Sequence, residues 1–418
     1  MDQATGTGVK TGARMMRHSV HFGAGKIGRG LVGRLLLQAG YDVLFVEADH
    51  QVVELLKNRH RYLVKTIGEE PKVHIVSGFR VAHISAEEEL GQAIAHADLI
   101  TTSVGSSALS KVAPAISYGL EVRLSSGNRN PLDIVACENM ANASAHLREL
   151  IFEICSLPCR DYIERCVGFP EAQVGTIAPT WLERPLGEDP LTVFIESNEE
   201  FYIDRKGFRG KPPIGPGISL VEDIGAYVDR KVFIVNTGHA VAAYLGYSSG
   251  HSYLHEAMGD PFIREKVIGA LGETSEVIVK EHGFDPKDQQ AYSTRAIRRF
   301  ENPGMRDLIL RLAKDPIRKL GPEDRLVRPA RLAFKHGITP KNIALGIAAG
   351  LLYDFPEDAQ ARELSKMLEG FGLGGVLSKV CGLSASEGLW PLVVSTLEEL
   401  MGRYGVKRSF SFPPLYPN

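Results

Sequence analysis

The chain has 418 residues, of which 44% are hydrophobic and 23% are charged, which is the composition of a globular protein. This length predicts two domains, each large enough to bury its own core. A formal net charge of −2 gives no indication of a nucleic-acid or membrane partner. The sequence also lacks an apolar run of the roughly 18 residues that a membrane span needs. We therefore expect a small-molecule ligand, and a monomer or a small homo-oligomer.

Residues 1–16 contain no apolar stretch of the kind found in a secretory signal, so we expect a disordered leader or an expression remnant. Met16 is an alternative start. The five cysteines are an odd number, and Cys155, Cys159 and Cys166 follow no zinc-binding spacing. We expect free thiols in a reducing cytoplasm, and no metal site.

The first organised stretch is typical of a nucleotide-binding unit. The β-like segment 19–22 runs into Gly23-Ala-Gly-Lys-Ile-Gly28, and a helical pattern follows over 29–40. A second buried strand is predicted at 41–46, with Glu47 directly after it. This order of strand, GxGxxG, helix, strand and acid is the dinucleotide-binding fingerprint in its required context.

The fingerprint assigns a role to each glycine. Gly23 permits the tight turn, Gly25 lets the backbone approach a pyrophosphate, and Gly28 lets helix and strand pack closely. The N-terminus of the helix then carries the anion. A carboxylate at Glu47 accepts hydrogen bonds from the ribose hydroxyls and repels a 2′-phosphate, so NAD is favoured over NADP. We expect the cofactor site to contain Gly23, Gly25, Lys26, Ile27, Gly28, Glu47, Thr102, Val104 and Gly105.

The alternation of strands and helices continues beyond this motif. Strands are predicted at 74–77, 79–84, 98–104 and 132–137, with a helix at 86–96. Small residues at the end of strand 98–104 commonly pass beneath a cofactor, although they could equally form a turn. The β-rich segment 175–209 is expected to extend the same sheet.

Asn139 follows strand 132–137 within the sequence Cys-Glu-Asn-Met. Ligands of open α/β sheets bind beyond the carboxyl ends of the strands, so Asn139 could face the nicotinamide end of a cofactor. The alternative is that Asn139 caps the next helix.

Segment 211–217 is rich in Pro and Gly and marks the domain boundary. We predict a Rossmann-type α/β domain at 17–212, an all-α domain at 213–408 and an extended tail at 409–418, with a cofactor cleft between the domains. The predicted helices of the second domain are 221–245, 261–280, 285–300, 305–314, 324–336, 341–353, 359–369 and 390–404.

The first of these helices carries three residues suited to chemistry. At about 100° per residue, Asn236 lies about 140° and His239 about 80° around the helix from Lys231, so the three share one broad face. Along the axis, Lys231 and His239 are about 12 Å apart. Asp229 would lie about 200° away from Lys231, which predicts a surface charge.

Several long segments are similar to the polyol-specific long-chain dehydrogenases, between about residues 17 and 400. These segments are Phe22–Gly30, Ala136–Met140, Asn236–Gly246, Gly250–His251, Arg299–Pro303 and Asp315–Leu320. The resemblance implies reversible, zinc-independent oxidation of mannitol 1-phosphate by NAD to fructose 6-phosphate. His251 lies in a family-like position, where it is either a helix-end residue or a substrate contact.

The resemblance also implies residue roles. Lys231 would be the general base, Asn139 and Asn236 would hold the alkoxide or carbonyl oxygen, and His239 would bind the polyol. A lysine with an ordinary pKa near 10.4 is a poor base at about pH 7, so burial and a positive nicotinamide ring would have to lower that pKa.

Family members place an Arg and a Lys eight residues apart in the substrate pocket, which corresponds to Arg311 and Lys319. Arg318 is a third candidate for the phosphate, with a solvated helix face as its alternative. A guanidinium suits a phosphate dianion because it can donate two parallel hydrogen bonds.

Other functions remain open from the sequence. The hexuronate reductases of the same family share the Lys-Asn-His signature but act on a carboxylate. A 6-phosphogluconate dehydrogenase also joins a GxGxxG domain to a helical domain, with a shorter Lys-to-Asn spacing. A non-catalytic NAD-binding sensor is the third alternative, against which the intact Lys231, Asn236 and His239 count.

Overall fold

The computed structural model describes residues 16–68, 71–179 and 187–405. They form two compact units, one comprising residues up to 65, 72–177 and 189–222, and the other comprising 66–71, 178–188 and the chain from 223 onward. The predicted leader before Met16 and the predicted tail at 409–418 lie outside the described residues.

A parallel sheet forms the centre of the first unit. Among the described residues it has six strands in the order β5-β2-β1-β6-β7-β8, and each pair of neighbouring strands runs parallel. These strands are β1 (Arg17–Phe22), β2 (Tyr41–Glu47), β5 (Arg80–His83), β6 (Leu99–Thr102), β7 (Leu132–Ala136) and β8 (Val167–Gly168). Strands β6 and β7 are buried at every residue, as expected for a parallel sheet covered by helices.

Helices of the first unit pack against this sheet through one apolar core, which includes Phe22, Ile100, Ile116, Leu147 and Ile163. A π-helical turn at Gly28–Val32 leads into the first of the helices. They are α1 (Gly33–Gln38), α2 (His50–Arg59), α3 (Glu87–His96), α4 (Leu109–Ser125), α5 (Ala143–Ile154) and α6 (Leu157–Cys166).

Two small sheets complete the first unit, and they correct one expectation. Their strands are β3 (Arg61–Ile67), β4 (Val73–Ser77), β9 (Ala172–Val174), β10 (Val193–Glu196), β11 (Phe201–Asp204) and β12 (Ile218–Val221). One sheet has the order β10-β3-β4 and the other β12-β11-β9. The prediction that segment 175–209 extends the main sheet is therefore wrong. Strand β11 instead pairs antiparallel with β9, a pairing that needs no crossover helix.

The second unit is helical over most of its described length. Its helices are α7 (Ile224–Arg230), α8 (Thr237–Ser248), α9 (Leu254–Gly259), α10 (Pro261–His282), α11 (Pro286–Glu301), α12 (Ile309–Ala313), α13 (Pro316–Lys319), α14 (Val327–Lys335), α15 (Lys341–Leu351), α16 (Ala359–Lys379) and α17 (Leu389–Tyr404). Side-chain caps start several of them, since Asp260, Asp285 and Asp358 accept from first-turn N–H groups. The predicted fold class, an α/β domain followed by an all-α domain, is confirmed.

Helices α7 and α8 are one continuous helix joined by a π-helical turn, Lys231–Asn236. The helix starts at Ile224 and not at Val221, because Asp223 caps α7 and Val221 belongs to β12. A π turn bonds residue i to i+5, so each residue advances by less than 100°. Asn236 therefore lies closer to the direction of Lys231 than the angle of an ideal α-helix predicted.

Candidate active site

The glycine-rich turn after β1 needs glycine at two positions for steric reasons. Gly23 has a φ of 96°, and a Cβ there would lie 2.7 Å from the carbonyl oxygen of Ser103. A Cβ on Gly28 would lie 1.9 Å from the carbonyl oxygen of Gly23. A Cβ on Gly25 would meet no described atom within 4 Å. The turn is therefore close-packed at Gly23 and Gly28 and open at Gly25, which leaves the space that a phosphate-binding turn requires.

A buried histidine supports this turn through hydrogen bonds. His21 is fully buried, with Nδ1 2.6 Å from Oγ1 of Thr101 and Nε2 2.9 Å from Oγ of Ser103. Burial lowers the pKa of His21 to about 3, so its ring is neutral. Ser103 in turn donates to the Gly23 carbonyl at 3.1 Å. Sequence reasoning missed His21, although a histidine inside an apolar strand is a signal of a buried hydrogen-bond network.

Arg29 holds the other side of the turn. Its guanidinium is buried, donates to the Ala24 carbonyl at 2.6 Å and also reaches the Leu191 carbonyl. Tyr62 donates to the Arg29 carbonyl at 2.9 Å, and its ring lies 5.5 Å from the guanidinium. Sequence reasoning missed Arg29 as well. Its position directly after GxGxxG, among apolar helix residues, was the available signal.

Glu47 lies at the carboxyl end of β2, beside the turn. Its Oε2 accepts from the Ala24 N–H at 2.9 Å, and its Oε1 accepts from the N–H groups of Ala48 and Asp49 at 2.7 and 3.0 Å. Lys26 is exposed and Ile27 is half-buried at the start of the helix. A carboxylate held at this point by backbone donors fits the ribose of a dinucleotide.

Glu138 links the ends of β6 and β7, and sequence reasoning gave it no role. Its carboxylate is buried and accepts from the Thr102 hydroxyl at 2.7 Å and from the Val104 N–H at 2.9 Å. Burial raises the pKa of Glu138, partly offset by these hydrogen bonds. Thr102 and the Val104 N–H therefore point at Glu138, and Gly105 (φ 90°) is the exposed residue at this strand end.

Asn139 follows Glu138 and is exposed. It is not the cap of α5, because Asn142 occupies the N-cap position and Glu171 accepts from the N–H groups of Ser144 and Ala145. Asn139 thus lies between the carboxyl end of β7 and the N-cap residue of α5.

In the second unit, Lys231 and Asn236 lie at the two ends of the π turn and are both half-buried. His239 is only 8% exposed, and its ring centroid lies 4.5 Å from that of Phe300. The Nε2 atom of His239 is buried and has no hydrogen-bond partner among the described residues. A buried polar atom without a partner is costly, so this atom is suited to a ligand hydroxyl.

Four cations influence the charge state of His239. Burial is the main cause that lowers its pKa well below 6.5, and nearby cations lower it further. These cations are Arg299, Arg311, Arg325 and Lys319. Arg311 and Lys319 were predicted for the substrate pocket, whereas Arg299 and Arg325 were not assigned from the sequence. Their approach to His239 depends on long-range packing that sequence spacing does not report.

The cations differ in burial and pairing. Lys319 is 4% exposed and donates to the Leu312 carbonyl, and its pKa is lowered to about 7 by burial and then by Arg325 and Arg318. Arg311 is more exposed and forms an ion pair with the buried Asp307.

Arg325 and Arg318 share one carboxylate but lie at different depths. Arg325 is mostly buried, and its Nε lies 2.8 Å from Asp324. Arg318 is half-exposed and pairs with the same Asp324 at 3.2 Å. Its charge also lowers the pKa of Lys319.

Asp229 does not lie at the surface. It is 6% exposed and paired with Arg328 and His282, so the prediction of a surface charge is wrong. His251 is half-buried, with Nε2 3.9 Å from Asp260.

The remaining sequence expectations concern metals, thiols and membranes. Within the described ranges, no three His, Cys, Asp or Glu side chains group as a metal site. All five cysteines are free thiols, as predicted, and only Cys166 is not buried. No helix in the described part of the chain combines the length and the apolar character of a membrane span.

A parallel-sheet unit with a glycine-rich turn, followed by a helical unit with Lys, Asn and His on one helix, defines a two-domain dehydrogenase. The family model for the mannitol dehydrogenase Rossmann domain matches residues 17–215, and that for the mannitol dehydrogenase C-terminal domain matches residues 223–370. The chain belongs to the mannitol dehydrogenase family.

Similar proteins match nearly the whole chain. A mannitol-1-phosphate 5-dehydrogenase of Bacillus licheniformis is 41% identical over 381 residues, which cover 91% of this chain and 99% of the relative. A mannitol-1-phosphate 5-dehydrogenase of Geobacillus thermodenitrificans is 43% identical over 383 residues, covering 91% and 97%.

Solved structures share the fold at lower identity. A substrate-free D-sorbitol dehydrogenase superposes with a TM-score of 0.77 at 18% identity, covering 93% of this chain and 94% of the other. A Pseudomonas fluorescens mannitol 2-dehydrogenase, in a ternary complex with NAD and D-mannitol, gives 0.70 at 17% identity, covering 94% and 92%.

Proposed function

We propose that the protein catalyses the NAD-dependent, reversible oxidation of D-mannitol 1-phosphate to D-fructose 6-phosphate, without zinc and with Lys231 as the general base. The observation that carries the choice of substrate is the identity of 41% and 43% to mannitol-1-phosphate 5-dehydrogenases over nine-tenths of the chain. The cations around His239 support it, because a phosphate dianion needs positive charge.

The first unit supplies the residues that would hold NAD. The open face at Gly25, the packed glycines on either side and the carboxylate of Glu47 fit a dinucleotide. NAD, when bound, supplies the hydride acceptor for the oxidation. Glu47 would bind the ribose hydroxyls and repel a 2′-phosphate, which selects NAD over NADP.

The second unit supplies the acid–base chemistry. Lys231, as the neutral amine, takes the proton from the hydroxyl of the reacting carbon during oxidation, and its ammonium returns a proton during reduction. The amide of Asn236, together with that of Asn139 from the first unit, would donate hydrogen bonds to the oxygen as negative charge develops on it. The unpartnered Nε2 of His239 binds a hydroxyl further along the sugar chain.

We assign the phosphate to the four cations that lower the pKa of His239. Lys319 is 4% exposed and the Arg325 side chain 16%, whereas the Arg311 side chain is 42% exposed. A dianion would offset the repulsion among these cations, of which Arg311 pairs with Asp307 and Arg325 with Asp324.

A comparison of sugar substrates tests the proposal. We expect NADH-dependent reduction of fructose 6-phosphate with a kcat/KM at least about 100-fold above that of fructose, because the phosphate contacts are missing in fructose. The panel is completed by three further substrates, each assayed with both the NAD and the NADP cofactor: fructuronate, tagaturonate and 6-phosphogluconate. Equal rates on the two fructoses would contradict the phosphate assignment, and a preference for a hexuronate would contradict the substrate.

A further inference from the structure

A buried carboxylate, that of Asp229, anchors the helix two residues before the π turn that carries Lys231. The two oxygens of Asp229 accept hydrogen bonds from Arg328 at 2.7 and 2.8 Å. Oδ2 also lies 3.0 Å from Nε2 of His282. Burial raises the pKa of Asp229, but the hydrogen bonds from His282 and Arg328 outweigh it, so the pKa lies below its ordinary value. The charged pair of Asp229 and Arg328 therefore ties the end of α7 to the start of α14.

The same neighbouring segment also holds the middle and the end of the turn. The Arg328 guanidinium lies 5.2 Å from the ring centroid of Phe233, which is fully buried in the middle of the turn. The hydroxyl of Thr237, directly after the turn, donates to the Arg325 carbonyl and lies 3.3 Å from the Val232 carbonyl. Residues 325–328 thus contact the middle of the π turn and the helix on both sides of it.

This segment also contributes to the cation group. The Arg325 side chain is one of the charges that act on His239, and its backbone carbonyl is the acceptor for Thr237. Four residues therefore connect a charge beside His239 to the turn that orients Lys231. Of these four residues, Val327 and Arg328 belong to the first turn of α14.

We propose that residues 325–328 couple the binding of the substrate phosphate to the orientation of Lys231, with Asp229 and Arg328 as positioning residues. A dianion on Arg325 fixes the segment, and the segment fixes the π turn through Arg328 and Thr237. A π turn is a rare departure from α-helix, so its arrangement depends on such side-chain anchors. Binding energy from the remote phosphate is then used at the reacting carbon. This inference rests on the proposed function.

Inorganic phosphite, a dianion without a sugar, tests the coupling. We expect saturating phosphite to raise kcat/KM for NADH-dependent reduction of unphosphorylated fructose by at least about tenfold, because the dianion occupies the same cations. Full-length Arg328→Gln should lose this activation. For fructose 6-phosphate, the same variant should lose at least about tenfold in kcat, with KM changed less than about twofold.

Arg331→Gln is the matched control. Arg331 lies on the same helix and forms a comparable bidentate pair, with Glu387 at 2.8 and 3.0 Å, away from the π turn. It should retain both kcat and phosphite activation. If Arg328→Gln fails to fold, Arg328→Lys, which keeps a charge beside Asp229 but loses the bidentate geometry, replaces it with the same expected loss.

The outcomes separate the coupling from the proposed function. Reduction of fructose 6-phosphate without any phosphite effect on fructose would overturn the coupling and leave the function standing. Equal phosphite activation in wild type and Arg328→Gln would also overturn it. Failure to reduce fructose 6-phosphate would overturn the function itself.

Discussion

Lys319 is buried close to other cations, which lower its pKa, so the binding of a substrate phosphate should depend on pH. Because the lowered pKa of about 7 leaves the amine neutral above that pH, its attraction for a phosphate dianion is lost as pH rises. We expect the KM for fructose 6-phosphate to increase between about pH 7 and 9. Lys319→Arg, which stays charged, should show a flatter profile. A wild-type KM that does not change over this interval would contradict the assignment of Lys319.

Lys231 carries the acid–base step in the proposed mechanism. We expect Lys231→Ala to reduce kcat by at least about 100-fold, because general acid–base catalysis typically contributes that much. NADH affinity, measured by fluorescence titration, should stay within about twofold of wild type since the dinucleotide residues belong to the other unit. Lys280→Ala, a surface lysine paired with Glu276, is the control. Retained turnover in Lys231→Ala would exclude it as the base.

At the level of elements, two glycines of the glycine-rich turn should differ in their effects on protein stability and on NADH binding. Gly28→Ala places a Cβ 1.9 Å from the Gly23 carbonyl oxygen, so we expect a lower Tm and lost NADH binding. Gly25→Ala places a Cβ in open space. Its Tm should stay close to wild type while the Kd for NADH rises at least about tenfold, because the backbone can no longer approach the pyrophosphate. Unchanged NADH affinity in Gly25→Ala would mean that the dinucleotide does not pass this residue.

Local pattern predicted much of the fold and part of the candidate site. The order of strand, glycines, helix, strand and Glu47 is visible in sequence because each signal is local. The pairing of β9 with β11 was not predicted, since the choice of a neighbouring strand is a long-range property. Asp229 shows the same limit, because Arg328 and His282, which make its burial possible, lie about 100 and 50 residues away in the chain. The π turn was also invisible, since apolar residues at i, i+3 and i+4 predict only helix.

At the scale of the whole molecule, the two compact units predict separable thermal behaviour. Each has its own buried core, so calorimetry should resolve two transitions. NADH should raise the Tm of only the transition that includes the glycine-rich turn, because a ligand stabilises the part that binds it. Gly25→Ala should remove this shift, and the other transition serves as the internal control. A single transition that moves as a whole with NADH would contradict independent units.

The π turn at Lys231–Asn236 has a consequence for how this helix tolerates changes in length. Bonding from i to i+5 accommodates one more residue than the α-helical pattern does, so the turn is equivalent to a one-residue insertion in a continuous helix. Deleting Val232 would restore regular α-helix and leave the helices on either side nearly in phase, because the π turn absorbs the extra residue. Asn236 would then follow Lys231 by four residues, or about 40° around the helix, whereas the present five-residue spacing would place them about 140° apart in a regular α-helix. The spacing of the signature is thus a property of helix geometry as much as of residue identity.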